Sequence, residues 1–444
     1  MKHGQFLTRC TEMVRQDRRV PHSNASAPSP SVLSWRDTLP IALPLVVLAL
    51  GHTLSNLLRT LPAMSADAVA RDIGTTAAHL GVLTGAYHLF FALGQIPVGV
   101  ALDRLGVRTV SLCLFAITGA GAIAGAFVQG PVGFGVTQAL LGVGCCGMLL
   151  CPFTLAAKRL PPARFAMWSG LILSIGNCGM LLSATPLAWL VEHQGWRASF
   201  VVSAVMAVVV GGLVALLVPR TQHDPDRPAL RLVTEFRGVL ALTLSPRLRG
   251  PVLLAFISLA AVLAVRGVWG GPWFMDVKGL TRIEAGNALI PLTLAMAIGP
   301  VIAGTIDRLT GARRALLAGG HLAAGVVLLI VIALVPGGWL QGSFIASPSL
   351  DAWLFFAFGC FISTQPLLFA MGQSSTAKEN SGKALAALNL MFFCGAAFHQ
   401  LASGWIASAM GLVAVFGYFA IALVFSSVGF LFYTRKAARA SGAR

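Results

Sequence analysis

Two arginines lie at matching places inside long apolar runs, and their chemistry is the most specific in the sequence. Arg59 and Arg266 are 207 residues apart, and each follows a proline (Pro44 or Pro251) by 15 positions. Burial of an arginine in a membrane costs about 2.5–3.5 kcal/mol on insertion scales. The attraction of an anion about 4 Å from a guanidinium contributes roughly 4 kcal/mol at an effective dielectric near 20. The planar guanidinium can also form two parallel hydrogen bonds with a carboxylate or phosphate. The spacing predicts that both arginines bind an anionic substrate between two halves of the chain.

The residues also allow simpler roles for these two arginines. Arg59 follows the most apolar part of its run, and its long side chain could extend to the membrane interface. Arg266 could serve a purely structural purpose. Equivalent positions in two parallel repeats face the same pseudo-axis, which favours the shared binding role.

Further polar and aromatic residues in the apolar runs complete the candidate binding set. Asn56 and His52 precede Arg59 by three and seven positions, which places them on nearly one helical face. Trp269 and Trp273 follow Arg266 by the same intervals and could wall an apolar part of the substrate. Helix–helix hydrogen bonding or packing is the alternative for each. The remaining candidates are Tyr87, His88, Gln95, Asn177, Gln365, Asn389, His399 and Gln400, of which His88 could carry a coupled proton.

The elements that hold these residues follow from composition. The 444 residues are 56% hydrophobic, the mean hydropathy is +0.80 and only 11% are charged, whereas soluble domains carry about 25% charged residues. The chain is therefore expected to be a polytopic membrane protein in contact with a lipid bilayer. The net charge of +17 comes from short basic bursts between apolar runs, a pattern that excludes a nucleic-acid-binding face.

Apolar stretches of about 20 residues, each able to cross the hydrocarbon layer as a helix, number twelve. They predict an all-α membrane protein with two pseudo-symmetric six-helix bundles. The predicted segments are a cytoplasmic N-terminal tail (1–37), the first bundle (38–218), a cytoplasmic linker (219–249), the second bundle (250–434) and a cytoplasmic C-terminal tail (435–444). The first 30 residues lack an apolar segment, so no signal peptide is expected.

Basic residues predict the orientation of these helices. With both termini on the cytoplasmic side, that side holds 26 Lys and Arg residues and the other side holds six, which follows the positive-inside rule. We expect a multi-pass protein of the cell membrane, acting as a monomer. All fifteen acidic residues fall in tails, loops or near helix ends, which disfavours a cation exporter.

A loop motif occurs once in each half. It runs from Gly99 to Arg108 after the second helix and from Gly304 to Arg313 after the eighth, and its two Asp-Arg pairs are 204 residues apart. The aspartates can pair with arginines or a helix N-terminus, and such contacts can hold one conformation; ordinary solvated loop charges are the alternative. The predicted gating residues are Gly99, Asp103, Arg104, Arg108, Asp307 and Arg308.

The Gly-x-x-x-Asp-Arg-x-Gly-x-Arg motif, its second copy and the helix count resemble the major facilitator superfamily. The resemblance implies two bundles that rock around a central cavity and expose one site to each side in turn. Two departures lower the odds of a drug/proton antiporter. Gln138 occupies a fourth-helix position that is often arginine, and Gly176-Asn177-Cys178-Gly179 replaces a glycine-proline pair in the fifth helix.

The sequence thus predicts a secondary active transporter of a small, carboxylate-like organic anion, and not an enzyme. No phosphate-binding GxxxxGK[ST] motif is present, and no cofactor or metal is expected. Two alternatives remain open: a non-transporting sensor or assembly factor on the same scaffold, and a copper importer. The latter would use soft sulfur ligands, although packing is the usual role of such residues; they are Cys145, Cys146, Met148, Cys151, Cys178 and Met180.

Overall fold

The computed structural model describes residues 35–160, 162–220, 232–335, 347–376 and 381–442. Nearly all of these residues are helical. The helices of the first half are Trp35–Thr60, Pro62–Asp72, Ala77–Phe127, Pro131–Cys145, Leu150–Arg159, Pro162–Leu182, Thr185–Gln194 and Trp196–Leu217. Those of the second half are Leu232–Thr243, Arg249–Ala264, Gly270–Pro272, Arg282–Ala288, Ile290–Thr310, Arg313–Ala333, Pro348–Ile362, Leu367–Ser374 and Ser381–Gly442, with π-helical turns at Val265–Trp269 and Trp273–Val277.

Eleven described helical stretches are long and apolar enough to span a membrane, and the last is a double span because Gly411 breaks it. The predicted twelve-helix, all-α fold is therefore confirmed. We number the spans α1 (Pro40–Thr60), α2 (His79–Leu102), α3 (Arg104–Phe127), α4 (Pro131–Arg159), α5 (Gly170–Gln194), α6 (Trp196–Leu217), α7 (Arg249–Val277), α8 (Arg282–Thr310), α9 (Arg313–Ala333), α10 (Pro348–Ser374), α11 (383–410) and α12 (412–435).

Most of the predicted N-terminal tail lies outside the described residues. The predicted linker contains the helix Leu232–Thr243, and the helix that carries α12 continues to Gly442. Residues from Leu43 onward form one compact unit.

The helix ends repeat between the halves. The described backbone has positive φ at six residues, all glycine, and these fall into three pairs. Gly74 pairs with Gly279 and Gly106 with Gly311, each 205 residues apart; Gly195 and Gly411 are 216 apart. Because only glycine adopts this conformation without a steric cost, the pairs mark the same turns of a duplicated six-helix unit.

Within each half, glycines allow helix backbones to approach closely, as is typical of membrane helices. A Cβ atom at Gly179 of α5 would overlap the Thr53 carbonyl of α1. The equivalent Gly395 of α11 has the same relation to the Phe256 carbonyl of α7. These contacts fix α1 and α7, the helices that carry the two arginines.

We name the two ends of the helix bundle after Asp67 and Arg108. The Asp67 end holds the end of α1, the end of α5, the start of α6 and the α7–α8 connection. The Arg108 end holds the α2–α3 and α8–α9 connections and the ends of α4, α6 and α12.

Candidate functional site

Arg59 lies inside the helix bundle and is 7% exposed. Its Nη2 donates to Ser55 Oγ at 3.4 Å, whereas its buried Nε has no hydrogen-bond partner. The guanidinium carbon is 5.0 Å from the ring centroid of Phe91 (α2) and 5.3 Å from that of Phe393 (α11). Cation–π attraction compensates only part of the cost of burial, so this cation keeps capacity for an anion.

The α1 face next to Arg59 is polar, as the spacing predicts. Asn56 donates from Nδ2 to the Gly176 carbonyl of α5 at 3.0 Å and lies 3.4 Å from His52 Nε2. Its buried Oδ1 has no partner. A side chain at Gly176 would overlap the His52 ring, so this glycine lets the imidazole lie against α5.

Helix α2 adds Tyr87 and His88 to the same region. The Tyr87 hydroxyl is 3.3 Å from Ser55 Oγ, and the ring is 2% exposed. His88 is equally buried, yet neither of its ring nitrogens has a hydrogen-bond partner. We call His52, Ser55, Asn56, Arg59, Tyr87 and His88 the Arg59 cluster.

Arg266 is fully buried on the first π-helical turn of α7, and π-turns often occur at functional sites. Its Nε donates to Thr293 Oγ1 of α8 at 2.7 Å. Its Nη2 donates to Ser183 Oγ of α5 at 3.1 Å and to the Met180 carbonyl. Its Nη1 is buried without a partner. The side chain therefore links the second half to the first through neutral acceptors.

No described carboxylate forms an ion pair with Arg59 or Arg266. The cost of burying two cations is therefore only partly offset by the protein itself. Several buried groups near these arginines have no hydrogen-bond partner. They include donors that could bind an anion and acceptors that could bind a hydroxyl group: Asn56 Oδ1, Arg59 Nε, the His88 nitrogens and Arg266 Nη1.

The halves meet along an α2–α11 seam and an α5–α8 seam, and the end of α1 also approaches α7, where a Cβ atom at Gly267 would lie 3.6 Å from the Arg59 carbonyl. In the α2–α11 seam, Phe91 stacks on Phe393 with centroids 3.9 Å apart, and Asn389 Nδ2 donates to Gln95 Oε1 at 2.7 Å. Gln95 also donates to the Cys146 carbonyl of α4. Gln400 donates to the Gly81 carbonyl near the Asp67 end. The seam thus runs along most of α2, and Arg59 contacts its centre.

The α5–α8 seam holds Arg266 and continues to the Asp67 end. Thr185 Oγ1 donates to Asn287 Oδ1 at 2.5 Å, and a Cβ atom at Gly286 would lie 3.1 Å from the Thr185 backbone. Arg59 therefore contacts side chains of one seam and Arg266 side chains of the other. The two positions are linked by Thr60, whose Oγ1 lies 2.5 Å from the same Ser183 Oγ that accepts from Arg266.

A charged clamp closes the Asp67 end. Arg282 donates from Nη1 and Nη2 to the two carboxylate oxygens of Asp67 at 2.8 and 2.7 Å, and from Nε to Glu192 at 3.2 Å. It also donates to the Met64 carbonyl. A capping box between Thr281 and Glu284 fixes Arg282 as the first residue of its helix. We call Asp67, Glu192 and Arg282 the end clamp.

The end clamp and its neighbourhood shift two carboxylate pKa values. Burial raises the pKa of Asp67, but the hydrogen bonds and charge of Arg282 outweigh burial, and the net pKa lies below its ordinary value. The pKa of Asp72 is also lowered, first by the Trp196 indole N–H and then by Arg197. Asp72 accepts a hydrogen bond from the Trp196 indole at 2.9 Å. This bond joins the helix Pro62–Asp72 to α6 within the first half.

The two predicted substrate-facing tryptophans have protein partners. Trp269 donates to Ser403 Oγ of α11 at 3.1 Å and packs against Gly81. Trp273 is fully buried and donates to Asp351 Oδ2 at 2.7 Å, while Lys278 Nζ lies 3.1 Å from the same oxygen. Trp269 thus belongs to the α2–α11 seam, and Trp273 to the core of the second half.

The other polar candidates are spread over the molecule. Asn389 lies in the α2–α11 seam, whereas Asn177 and Gln365 are half-buried on α5 and α10. His399 pairs with the Tyr418 hydroxyl of α12 at 2.6 Å. The structure therefore brings Asn56, Arg59, Tyr87 and His88 together, with Asn389 nearby along the seam.

The loop-motif residues form contacts within each half. Arg108 donates to the Ala215 carbonyl of α6, and Arg314, the residue after the second motif copy, donates to the Leu431 carbonyl of α12 at 2.9 Å. Asp307 accepts from Arg313 Nη2 at 2.7 Å. The Asp103 side chain lies outside the described atoms. Gly99 is half-buried, and Arg104 and Arg308 are exposed.

The cysteine-rich run on α4 packs as small apolar residues do. Cys145, Cys146 and Cys151 are buried, whereas Cys178 on α5 is exposed. Cys146 donates from Sγ to the Val143 carbonyl at 3.0 Å. Among the described residues, no three His, Cys, Asp or Glu side chains are grouped closely enough to hold a metal ion.

Sequence reasoning missed the end clamp and the Thr185–Asn287 contact. The available signal was the set of opposite charges on the side with few basic residues, where Asp67 and Glu192 lie in the first half and Arg282 in the second. Their pairing joins residues 215 and 90 positions apart, which no local pattern encodes.

Comparisons with known proteins agree with this architecture. A sequence model described as Major Facilitator Superfamily matches residues 48–398. The Tetracenomycin C resistance and export protein of Streptomyces glaucescens is 25% identical over 343 residues, 64% of this chain and 61% of that protein. The gentisate transporter of Corynebacterium glutamicum is 25% identical over 286 residues, 61% of each. The chain thus spans less than two thirds of these two relatives.

A solved structure supports the fold independently. The crystal structure of a peptide transporter, POT, in complex with sulfate superposes with a TM-score of 0.72, at 16% identity over 89% of this chain and 95% of that one. The duplicated six-helix unit and the match over most of the sequence lead to one conclusion. The chain belongs to the Major Facilitator Superfamily of multi-pass membrane transporters.

Proposed function

We propose that the protein is a secondary active transporter that carries a small organic anion of the carboxylate class by alternating access. The observation that carries this proposal is the buried, ion-pair-free Arg59, surrounded by polar groups without hydrogen-bond partners. A carboxylate would accept from Arg59, and a hydroxyl on the substrate would satisfy Asn56 Oδ1. Gentisate is itself an organic anion, so the similarity to a gentisate transporter supports the same class.

In this proposal Arg59 is the principal anion ligand. Arg266 is held by the Met180 carbonyl, Ser183 and Thr293 in the present conformation. It becomes available as a second ligand when the α5–α8 seam opens. The two arginines then act on the anion in different steps of the cycle, and the substrate links the two halves only while both are engaged.

The end clamp is the gate of this cycle. Arg282 joins the second half to Asp67 and Glu192 of the first. Fully exposed ion pairs contribute about 0–1 kcal/mol each. The pair with Asp67 is bidentate and the Arg282 side chain is only 10% exposed, so this pair stabilises the closed end more strongly than an exposed pair would. With both termini cytoplasmic, as the basic-residue distribution predicts, the clamp closes the extracellular side.

In this proposal the protein acts in the cell membrane as a monomer. It uses neither ATP nor a cofactor, and it catalyses no chemical reaction. A ligand panel tests the substrate class. We expect organic carboxylates to raise the melting temperature of the purified protein, and organic cations and neutral nucleosides to leave it unchanged. The carboxylate that stabilises most should also show counterflow in liposomes.

Two other outcomes identify the alternatives. Stabilisation by a carboxylate with no counterflow indicates a sensor on this scaffold. Cu(I) accumulation that is lost in Cys145→Ser indicates a copper importer, and would contradict the anion proposal.

A further inference from the structure

One buried group in the Arg59 cluster has no structural role that the contacts explain. His88 is 2% exposed on α2, and both its Nδ1 and its Nε2 lack a hydrogen-bond partner. The other three buried histidines differ, because His52 lies 3.4 Å from Asn56 Nδ2, His321 bonds Leu317 and Ser258, and His399 bonds Tyr418. A buried imidazole that leaves both nitrogens unused is costly to keep, so a ligand or a proton is expected to occupy it.

Arg59 is the charged group that acts on His88. Its guanidinium is near enough to influence both His88 and His52 electrostatically, and the Thr84 carbonyl faces the His88 ring from one turn earlier. The other titratable groups around this region are Tyr87 on α2 and Cys145 on α4. From α11, the side chains at this level are Phe393 and Asn389, which do not titrate.

The charge of Arg59 couples anion binding to protonation of His88. A guanidinium and a protonated imidazole repel each other in a poorly solvated site. An anion bound to Arg59 cancels that repulsion and adds an attraction. By linkage, the proton then raises the affinity of the site for the anion by the same factor.

We propose that His88 is the proton-coupling residue, so that the protein carries one proton together with each monovalent organic anion. This inference rests on the proposed function, because it assigns the driving force of the same site. The proton is taken from solution onto a His88 nitrogen, stays there while the anion occupies Arg59, and returns to solution on the opposite side. No covalent bond of the substrate changes, and the net charge moved is zero.

The wild-type protein in liposomes gives the first test, with the carboxylate that shows counterflow as the probe. A gradient of one pH unit, acidic on the side where the anion is supplied, should drive about tenfold accumulation. A pH dye should record one proton per anion, and an imposed membrane potential should not change the accumulation. Accumulation that follows the potential, or no proton movement, would overturn the proposal.

Substitution of His88 separates coupling from transport. His88→Gln keeps a polar side chain of similar size that does not titrate. We expect its counterflow to need a higher anion concentration, because the proton no longer raises the affinity, and to become independent of pH. Accumulation driven by the pH gradient should be lost. His193→Gln, which removes an exposed imidazole at the Asp67 end, should retain both activities.

Three results would contradict this assignment or the function beneath it. Full gradient-driven accumulation by His88→Gln overturns the role of His88. Loss of coupling in His52→Gln with coupling kept in His88→Gln transfers the role to the other cluster histidine and also overturns it. Absence of counterflow for every anion in the wild-type protein instead contradicts the proposed function.

Discussion

Arg59 and Arg266 occupy equivalent positions on α1 and α7, but their side chains contact different seams of the protein. Arg59 contacts Phe91 and Phe393 in the α2–α11 seam, whereas Arg266 donates to Met180 and Ser183 in the α5–α8 seam. The sequence repeat therefore does not impose equal roles. Each cation keeps one buried nitrogen without a hydrogen-bond partner, and Arg266 in addition donates hydrogen bonds to the other half.

This difference predicts that Arg266 controls the opening of the α5–α8 seam. Arg266→Gln removes the charged donor to Met180 and Ser183; hydrogen bonds to charged groups contribute about 1.5–3 kcal/mol. We expect a cysteine at Thr185 to react with a water-soluble maleimide about tenfold faster or more in this background. Arg266→Lys should give an intermediate rate, because an ammonium cannot contact α5 and α8 with the same fork geometry.

The matched control for that experiment is Arg237→Gln, which removes an exposed arginine of the helix Leu232–Thr243, outside the end clamp. It should leave the labelling rate unchanged. Equal labelling rates in Arg266→Gln and wild type would show that Arg266 does not hold this seam.

Alternating access requires Thr185 and Asn287 to separate once per cycle. Their side chains now touch at 2.5 Å across the halves. A Thr185→Cys/Asn287→Cys double variant should form a disulfide under mild oxidation and lose counterflow, and a reductant should restore it. Each single variant should transport under both conditions. Full counterflow by the oxidised double variant would exclude opening at this place.

The end clamp should respond to acid. The pKa of Asp67 is lowered when Arg282 binds it, so the clamp favours the closed state fully above the ordinary carboxyl pKa of about 3.9. Its contribution is lost as the pH falls through the lowered value. Spin labels at the exposed positions Gln194 and Ala409 should keep a constant distance between pH 8 and pH 5 and separate only in stronger acid.

Asp67→Asn supplies the control for this titration. An amide keeps the shape of the carboxylate without its charge, so the labels should be further apart at pH 7 and less sensitive to acid. A large distance change in wild type between pH 8 and pH 5 would mean that another group operates the gate.

Close helix contacts predict a selective loss of stability. A valine at Gly395 would overlap the Phe256 carbonyl of α7, whereas Gly212 on α6 has open space around it. Overpacking costs typically about 1–3 kcal/mol, so Gly395→Val should lower the melting temperature in detergent, and Gly212→Val should not. Equal melting temperatures would contradict the described packing of α7 against α11.

The fold was predictable because the membrane acts as a simple solvent. An apolar run must be long enough to cross it, so the predicted number of twelve spans agrees with the structure. The duplicated loop motif was also visible as a pattern. The polar face of His52, Asn56 and Arg59 followed from helical periodicity alone.

The contacts across the seams were not predictable from the same patterns. Periodicity shows which residues share a face of α7, but a long side chain such as Arg266 can still turn to either neighbour. Trp273 lies on the predicted face, yet it binds Asp351, a carboxylate at the start of α10. These partners are set by tertiary packing of distant segments, which a single sequence does not specify.

The most direct test of the account is the affinity of Arg59→Gln for the transported anion, measured by calorimetry on purified protein. Loss of one charged hydrogen-bond donor, at about 1.5–3 kcal/mol, predicts binding about 10- to 150-fold weaker than wild type, while Arg237→Gln binds normally. Wild-type affinity in a folded Arg59→Gln protein would contradict the central claim that this buried guanidinium binds the substrate.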